Sequence, residues 1–271
     1  MRKSYDYNRR VWGLTDARLV PTNWAALKLK YALAALKKVE GKVLDVGCGG
    51  GAFTRGIKYY RRDLDLWGID ISRKSIDFAK GVSENVNFVL GSAYKLPFKD
   101  DTFDAVVSFD VLEHLDKPAL AIREVKRVLK PRGIFHLVTP IEASLFTLHG
   151  VLFKVFGYNL KEGQIGHVSH FTHKGLVDQL KKDGFTPIKN KYTVHPFIQF
   201  IDILYTLIIA IFKLEKSDPA FSLERHIKRG KRNWLMKTFA PFYDLIVFIG
   251  YIESKAFSWL PGYSVNMTLV K

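Results

Sequence analysis

The chain has 271 residues and one cysteine, Cys48, which excludes a disulfide framework within it. Lys and Arg number 42 against 26 Asp and Glu, a formal charge of +16, yet 48% of residues are hydrophobic and 14% aromatic. That apolar content excludes a basic disordered tail, and the surplus charge points to a partner of negative charge, either nucleic acid or an anionic membrane surface.

The length suits one large α/β domain, or one domain with an insertion. Met1 to Arg10 is polar with no apolar run behind it, so no signal peptide is expected and the location expected is cytoplasmic. Residues 1–21 read as a basic, aromatic arm (Tyr5, Tyr7, Arg9, Arg10, Trp12). A helix is expected from Pro21-Thr22-Asn23 to about Val39, with Leu27, Tyr31, Ala34 and Ala35 on one face and Gly41 as its stop. Lys42–Val46 reads as a strand running into the cluster Gly47–Gly51, and a helix follows to about Tyr60. Asp65–Ile69 is a second strand ending at Asp70, and Ser72 caps a helix to about Lys80. Strands are expected at 86–90, 103–109 and 134–138, with a helix over 118–129 broken by Pro131-Arg132-Gly133. Such alternation predicts a parallel, doubly wound sheet whose ligands bind beyond the carboxyl ends of the strands.

After Pro140 the pattern changes. Apolar residues recur at helical spacing over 141–158, a helix capped by Thr172 is expected over 172–183, and 185–194 is β-rich. Two apolar blocks, 197–212 and 239–252, flank a basic segment, and 263–270 reads as a closing strand.

The glycine loop carries the first functional signal. Glycines permit a tight turn and a close ligand, and the helix N-terminus beyond offers free N–H groups. Asp70 stands at the end of the next strand, where a carboxylate can accept hydrogen bonds from two ribose hydroxyls. Gly47, Gly49 and Ala52 also satisfy the dinucleotide pattern G-x-G-x-x-G/A, so a dinucleotide reading stays open at this point. Asp45 is less usual in that pattern and suits a positively charged ligand group better than a pyrophosphate.

Leu44-Asp45-Val46-Gly47-Cys48-Gly49-Gly50-Gly51 resembles the first motif of class I S-adenosylmethionine-dependent methyltransferases. Gly68-Ile69-Asp70-Ile71-Ser72 is similar to that family's second-strand motif, and Gly91-Ser92-Ala93-Tyr94-Lys95-Leu96-Pro97-Phe98 to its G-D-A-x-x-L-P-F segment. Phe103 to Val107, Phe109-Asp110-Val111-Leu112-Glu113-His114-Leu115, and Arg127 to Ile134 resemble its fourth- and fifth-strand motifs. The resemblance covers about residues 40–140. It implies a seven-stranded Rossmann-like sheet with the last strand antiparallel, and S-adenosylmethionine as cofactor; the helical insertion expected before that last strand, at 195–260, departs from the family.

The resemblance also implies roles. The Gly47–Gly49 loop, with Cys48, would pack on the methionine part, and Asp45 would lie near its ammonium. Asp70 would hold the ribose, Ile71 the adenine face, and Ser92 and Ala93 the adenine edge. Ser92 replaces the family's usual aspartate. Asp110 and Val111 would floor the sulfonium, and Glu113 and His114 are the catalytic candidates at the mouth. Holding an acceptor in line can supply an effective molarity on the order of 10⁵–10⁸ M, and a hydroxyl acceptor would also need a base. His167, His170 and His173 can be read as metal ligands or as residues that position the next helix. The second reading is preferred, so no metal is expected.

The stretch from Thr139-Pro140 through Gly166-His167-Val168-Ser169-His170-Phe171-Thr172 to Gly184-Phe185 resembles polyprenyl-quinol O-methyltransferases of ubiquinone synthesis. That implies O- or C-methylation of a small or lipid-like acceptor. Residues 1–40 are then an arm and helix, 41–194 the cofactor-binding core, 195–260 an insertion and 261–271 the final strand. Phe197–Phe212 carries only Asp202 as a charge, and both apolar blocks fall short of the ~20 residues of a membrane span. Arg225, Lys228, Arg229, Lys231, Arg232 and Lys237 between them suit an anionic lipid surface, giving a peripheral position on the membrane. The same insertion can be read as a cap over the active site. RNA methylation is the less favoured rival, because no N-P-P-Y type sequence follows the fourth strand. A non-catalytic, cofactor-binding membrane scaffold is the third reading.

Overall fold

The structure, a computed structural model, describes residues 11–23, 25–145, 147–156, 166–211 and 234–271. Seven strands form one sheet in the order β3-β2-β1-β4-β5-β7-β6. These are β1 (Lys42–Val46), β2 (Asp65–Asp70), β3 (Asn87–Leu90), β4 (Phe103–Phe109), β5 (Leu129–Pro140), β6 (Thr186–Thr193) and β7 (Ser264–Val270). The strands β1 to β5 pair in parallel, and β7 runs antiparallel to both β5 and β6. The strand order reverses between β1 and β4, which opens a crevice at their carboxyl ends.

Helices cover both faces. They are α1 (Ala26–Ala35), α2 (Ala52–Tyr60), α3 (Arg73–Gly81), α4 (Pro118–Val128), α5 (Leu148–Phe156), α6 (His173–Lys182), α7 (Pro196–Ile211) and α8 (Trp234–Ala256). Because neighbouring residues of a strand point to opposite faces, Leu44, Val46 and Val106 pack with Ile122 and Val125 of α4. Val43, Ala105 and Val107 pack instead with Leu29 of α1 and Ile57 of α2. Ser72 caps α3 by accepting the Ser75 amide at 3.3 Å, and Thr172 caps α6 by accepting the Gly175 amide at 3.1 Å. Pro118 occupies the start of α4, where its missing N–H costs nothing.

Three sequence expectations need correction. The helix α1 turns Leu29, Ala32 and, just beyond it, Leu36 into the core, whereas Ala34 is exposed. Leu27 is buried as expected, but the apolar residues of α1 occupy more than one side, so periodicity alone misses Leu29, Ala32 and Leu36. The strand β5 begins at Leu129 rather than Ile134. Phe103 pairs with Leu129 and Ala105 with Ile134, so residues 130–133 bulge out opposite Asp104. Pro131 interrupts the hydrogen bonding without ending the strand, and Arg132 takes a φ of 63°. Asp104 steadies the bulge by accepting Lys130 Nζ at 2.7 Å and the Lys42 amide at 2.9 Å. Finally, the helix expected from residue 141 starts at Leu148, after turns at Ser144 and Thr147.

The apolar blocks form α7 and α8. Gln199 of α7 accepts the Leu148 amide at 2.8 Å and donates to the Val194 carbonyl at 2.9 Å. Ser254 of α8 accepts the Val194 amide at 3.1 Å, and Gly250 lies against Ile198. Leu245, Phe248, Ile249 and Ile252 form a stripe at helical spacing that stays 40–50% exposed. No helix among the described residues is long and apolar enough to cross a membrane. The arm residues 1–10 and the basic residues 225–232 lie outside the described residues.

Arg127 of α4 fixes the loop after β3. It forms a two-pronged pair with Glu124 at 2.7 and 2.8 Å and donates to the Leu96 and Phe98 carbonyls at 2.9 and 2.8 Å. Lysine cannot reproduce that planar fork. Arg127→Lys is therefore expected to lower unfolding free energy by about 1–3 kcal/mol, read as a lower urea midpoint with an unchanged slope.

Candidate functional site

The end of β1 turns under Ile69, whose carbonyl accepts the Gly47 and Cys48 amides at 2.8 and 3.0 Å. Gly47 has a φ of 75°, and a β-carbon there would sit 2.4 Å from Val111 Cγ2. Only glycine meets both constraints. Asp70, at the end of β2, accepts the Gly49 amide through one oxygen and the Ser72 amide through the other, both at 2.8 Å. Burial raises its pKa, against those amide bonds. Ile71 beside it is 61% exposed, an open apolar surface next to the carboxylate.

Asp45 lies beneath the loop, 2% exposed. Oδ2 accepts the Thr54 hydroxyl of α2 at 2.6 Å, and Oδ1 is buried with no partner among the described residues. Burial raises its pKa to about 7. Cys48 is buried and its thiol is pushed well up by that burial, which keeps it from acting as a thiolate. Ser92 accepts the Tyr94 amide at 3.2 Å, so its hydroxyl shapes the loop after β3, and Ala93 packs half-buried against the core.

At the end of β4, Asp110 takes a φ of 54°, rare for a residue with a side chain. Its carboxylate pairs with Lys28 of α1 at 2.5 Å. Val111 covers Gly47, and Leu112–His114 make one 3₁₀ turn. Glu113 does not open to solvent: it is 1% exposed and accepts the Thr139 hydroxyl at 2.9 Å. Burial, with Asp110 nearby, raises its pKa far above the usual carboxylate range. His114 lies against Gly166, its Nδ1 3.2 Å from that carbonyl. Burial, with His167 beside it, lowers its pKa to about 4, so the ring is neutral at pH 7.

The three later histidines separate. His167 and His170 lie in the loop before α6, where both approach the Glu142 carboxylate, at 2.5 and 3.2 Å. Burial opposes that charge, but bonds from both histidines and Tyr263 pull the Glu142 pKa well below its ordinary value. His173 begins α6 and meets Asn190 and Tyr192 instead.

Four contributors were not anticipated. Lys28 and the Trp12 carbonyl, which accepts the Gly50 amide at 2.6 Å, come from distant segments and leave no local signal, while Thr54 stands in the first turn of the helix after the glycine loop. Glu142 does leave one: it is an acid two residues past the carboxyl end of β5, where ligands of such sheets gather.

Comparison with known proteins agrees with this edge. Residues 44–137 match the family model described as a methyltransferase domain. An uncharacterized methyltransferase of Schizosaccharomyces pombe is 39% identical over 130 residues, 44% of this chain and 45% of that one. The chain thus spans less than half the length of that relative. A ubiquinone biosynthesis O-methyltransferase of Coxiella burnetii is 26% identical over 184 residues, 61% of this chain and 76% of that one. The crystal structure of the Bacillus subtilis YcgJ protein superposes with a TM-score of 0.51 at 20% identity, covering 91% of this chain and 95% of that one, a likeness of fold. A glycine turn, an acid closing β2 and a seven-stranded sheet with β7 reversed therefore have one common explanation: the chain carries a methyltransferase domain of the class I, S-adenosylmethionine-dependent family.

Proposed function

We propose that this chain methylates an oxygen or carbon of a small, lipid-like acceptor of quinone or prenyl type, working at the surface of an anionic membrane. The exposed stripe Leu245, Phe248, Ile249 and Ile252 on α8, with Phe200 and Leu204 exposed on α7, is the observation that carries the reading. Apolar faces of this size on a basic chain suit a bilayer interface. The Coxiella relative's name adds support, since a ubiquinone precursor is such an acceptor. Its 184 matched residues exceed the family match, so that similarity extends beyond residues 44–137.

The residues present fit the cofactor. The loop at Gly47 leaves no room for a β-carbon, and the orphaned Oδ1 of Asp45 is a buried acceptor suited to an ammonium. S-adenosylmethionine supplies a methyl group already activated on a sulfonium. Asp70 would hold the ribose hydroxyls, and Ile71, Ser92 and Ala93 would frame the adenine. Asp110 and Val111 would floor the reacting end, with Glu113 and His114 on the acceptor side. Held in that frame, an acceptor needs little beyond alignment and loss of its proton. The helices α7 and α8 would serve both as cap and as membrane contact, with the acceptor entering from the bilayer.

Asp45 imposes a pH signature on the cofactor-free chain. Folded, it keeps its proton to about pH 7, whereas its ordinary value is 3.8. The folded state therefore binds more protons across that window, and Asp45's contribution to stability falls as pH rises through it and levels above. Urea titrations from pH 4 to 8 are expected to show Asp45→Asn losing less stability than wild type over that range. Parallel profiles would contradict the assignment.

The function is tested by incubating the chain with methyl-labelled cofactor and lipid or RNA extract, alongside flotation with anionic vesicles. Label in the lipid fraction and flotation abolished by Phe248→Glu/Ile252→Glu are expected. Label in RNA, or flotation unchanged in the double variant, would overturn the reading.

A further inference from the structure

A second concavity lies between α4 and α6 and shares no lining residue with the cofactor crevice. It is an open cleft of about 550 Å³, within the range of small-molecule sites. Small residues make the room. Ala119 and Gly175 line it, and a β-carbon on Gly175 would meet only the Thr172 hydroxyl oxygen, at 3.1 Å. Lys117, Leu120 and Arg123 fall at every third position from the cap of α4 inward, a spacing that sets helical side chains beside one another. Leu120, 38% exposed, is therefore an apolar floor with a long cationic side chain on either side. Phe171, from the loop before α6, extends that floor.

The charge of the cleft is one-sided, because none of its lining residues is acidic. Lys117 makes no ion pair among the described residues, and its neighbour Asp116 accepts the Tyr94 hydroxyl instead. Arg123 has Asp183 at 3.5 Å, but Asp183 also accepts Gln179 Nε2 at 2.6 Å, and the Arg123 side chain stays 54% exposed. Most of its five donors are left for another acceptor. Neither cation alone marks a site; the two of them beside a hollow apolar floor match an anion that carries an apolar body. The walls are also fixed in advance. The Phe171 carbonyl accepts the Ala143 amide at 3.1 Å, and the Ser169 hydroxyl donates to the Leu115 carbonyl at 2.6 Å. A ligand therefore meets a cleft that needs little ordering.

We propose that this cleft binds one small amphipathic anion, a carboxylate or phosphate monoester with an alkyl body, taken up as a free molecule. Lys117 and Arg123 hold the anionic head, and the body lies on Leu120 and Phe171 against the open side of Gly175. Exposed ion pairs contribute little on their own, so the charges select the ligand and the apolar floor supplies most of the affinity. The proposal does not rest on the methyltransferase reading. Because the two sites share no lining residue, anion and cofactor occupy the chain together.

The test is calorimetric titration of the full chain with decanoate and with decyl phosphate, below the concentrations at which they form micelles. One saturable site per chain is expected for each, weakened by added salt. Lys117→Glu/Arg123→Glu should weaken binding about 10-fold or more, and Ala119→Trp, which fills the hollow, should abolish it. Shortening decanoate to hexanoate should cost up to about 4-fold per methylene removed. S-adenosylhomocysteine binding on the same variants reports folding and is expected to match wild type. Flotation with anionic vesicles separates a free ligand from a lipid head group, and the charge-reversed variant is expected to float as wild type does. No saturable site, affinity unchanged in both variants, or affinity independent of chain length overturns the proposal, and so does loss of flotation in the charge-reversed variant alone.

Discussion

Asp70 takes the Gly49 amide on one carboxylate oxygen and the Ser72 amide on the other, and so joins the turn after β1 to the start of α3. A parallel sheet needs such a joint. Each strand ends facing a crevice, and the amides of each turn are left without ladder partners. Here one acid satisfies two of them, and the Ile69 carbonyl satisfies those of Gly47 and Cys48. The turn is held against β2 before a ligand is present, so little ordering remains for binding to bring about. Under the proposed function the same carboxylate would also meet the ribose hydroxyls, so that structural support and ligand contact would coincide in one residue.

The other side of the crevice shows a different balance. Asp110 is in a left-handed conformation and paired with Lys28, while Asp45 and Glu113 each keep one buried oxygen without a partner. A buried oxygen without a partner costs stability unless something fills its position, and the ammonium of the proposed cofactor would fill that of Asp45.

Much of this was legible in the sequence, for a physical reason. The strands β1, β2 and β4, the glycine turn, Asp70 and the caps Ser72 and Thr172 depend on local chemistry, which sequence reports directly. The face of α1 was not legible, because Leu27, Leu29, Leu33 and Leu36 spread around the helix and only the sheet decides which are covered. The start of β5 was hidden by Pro131-Arg132-Gly133, which signals a stop although Leu129 still pairs with Phe103. Within the site, Lys28 lies 82 residues from Asp110 and Glu142 lies 25 from His167, and no spacing rule connects partners brought together by the sheet. The histidine spacing misled in the same way: His170 and His173 share a short segment with His167, but the ring that meets His167 is His114, from the far side of β5.

The most direct measurement is a crystal structure of the chain with S-adenosylhomocysteine. The expected result places the ribose hydroxyls on the Asp70 carboxylate, the amino acid end along Gly47–Gly49 and the sulfur above Asp110. A nucleoside seated elsewhere, with Asp70 bonded only to the Gly49 and Ser72 amides, would contradict the assignment of this edge as the cofactor site.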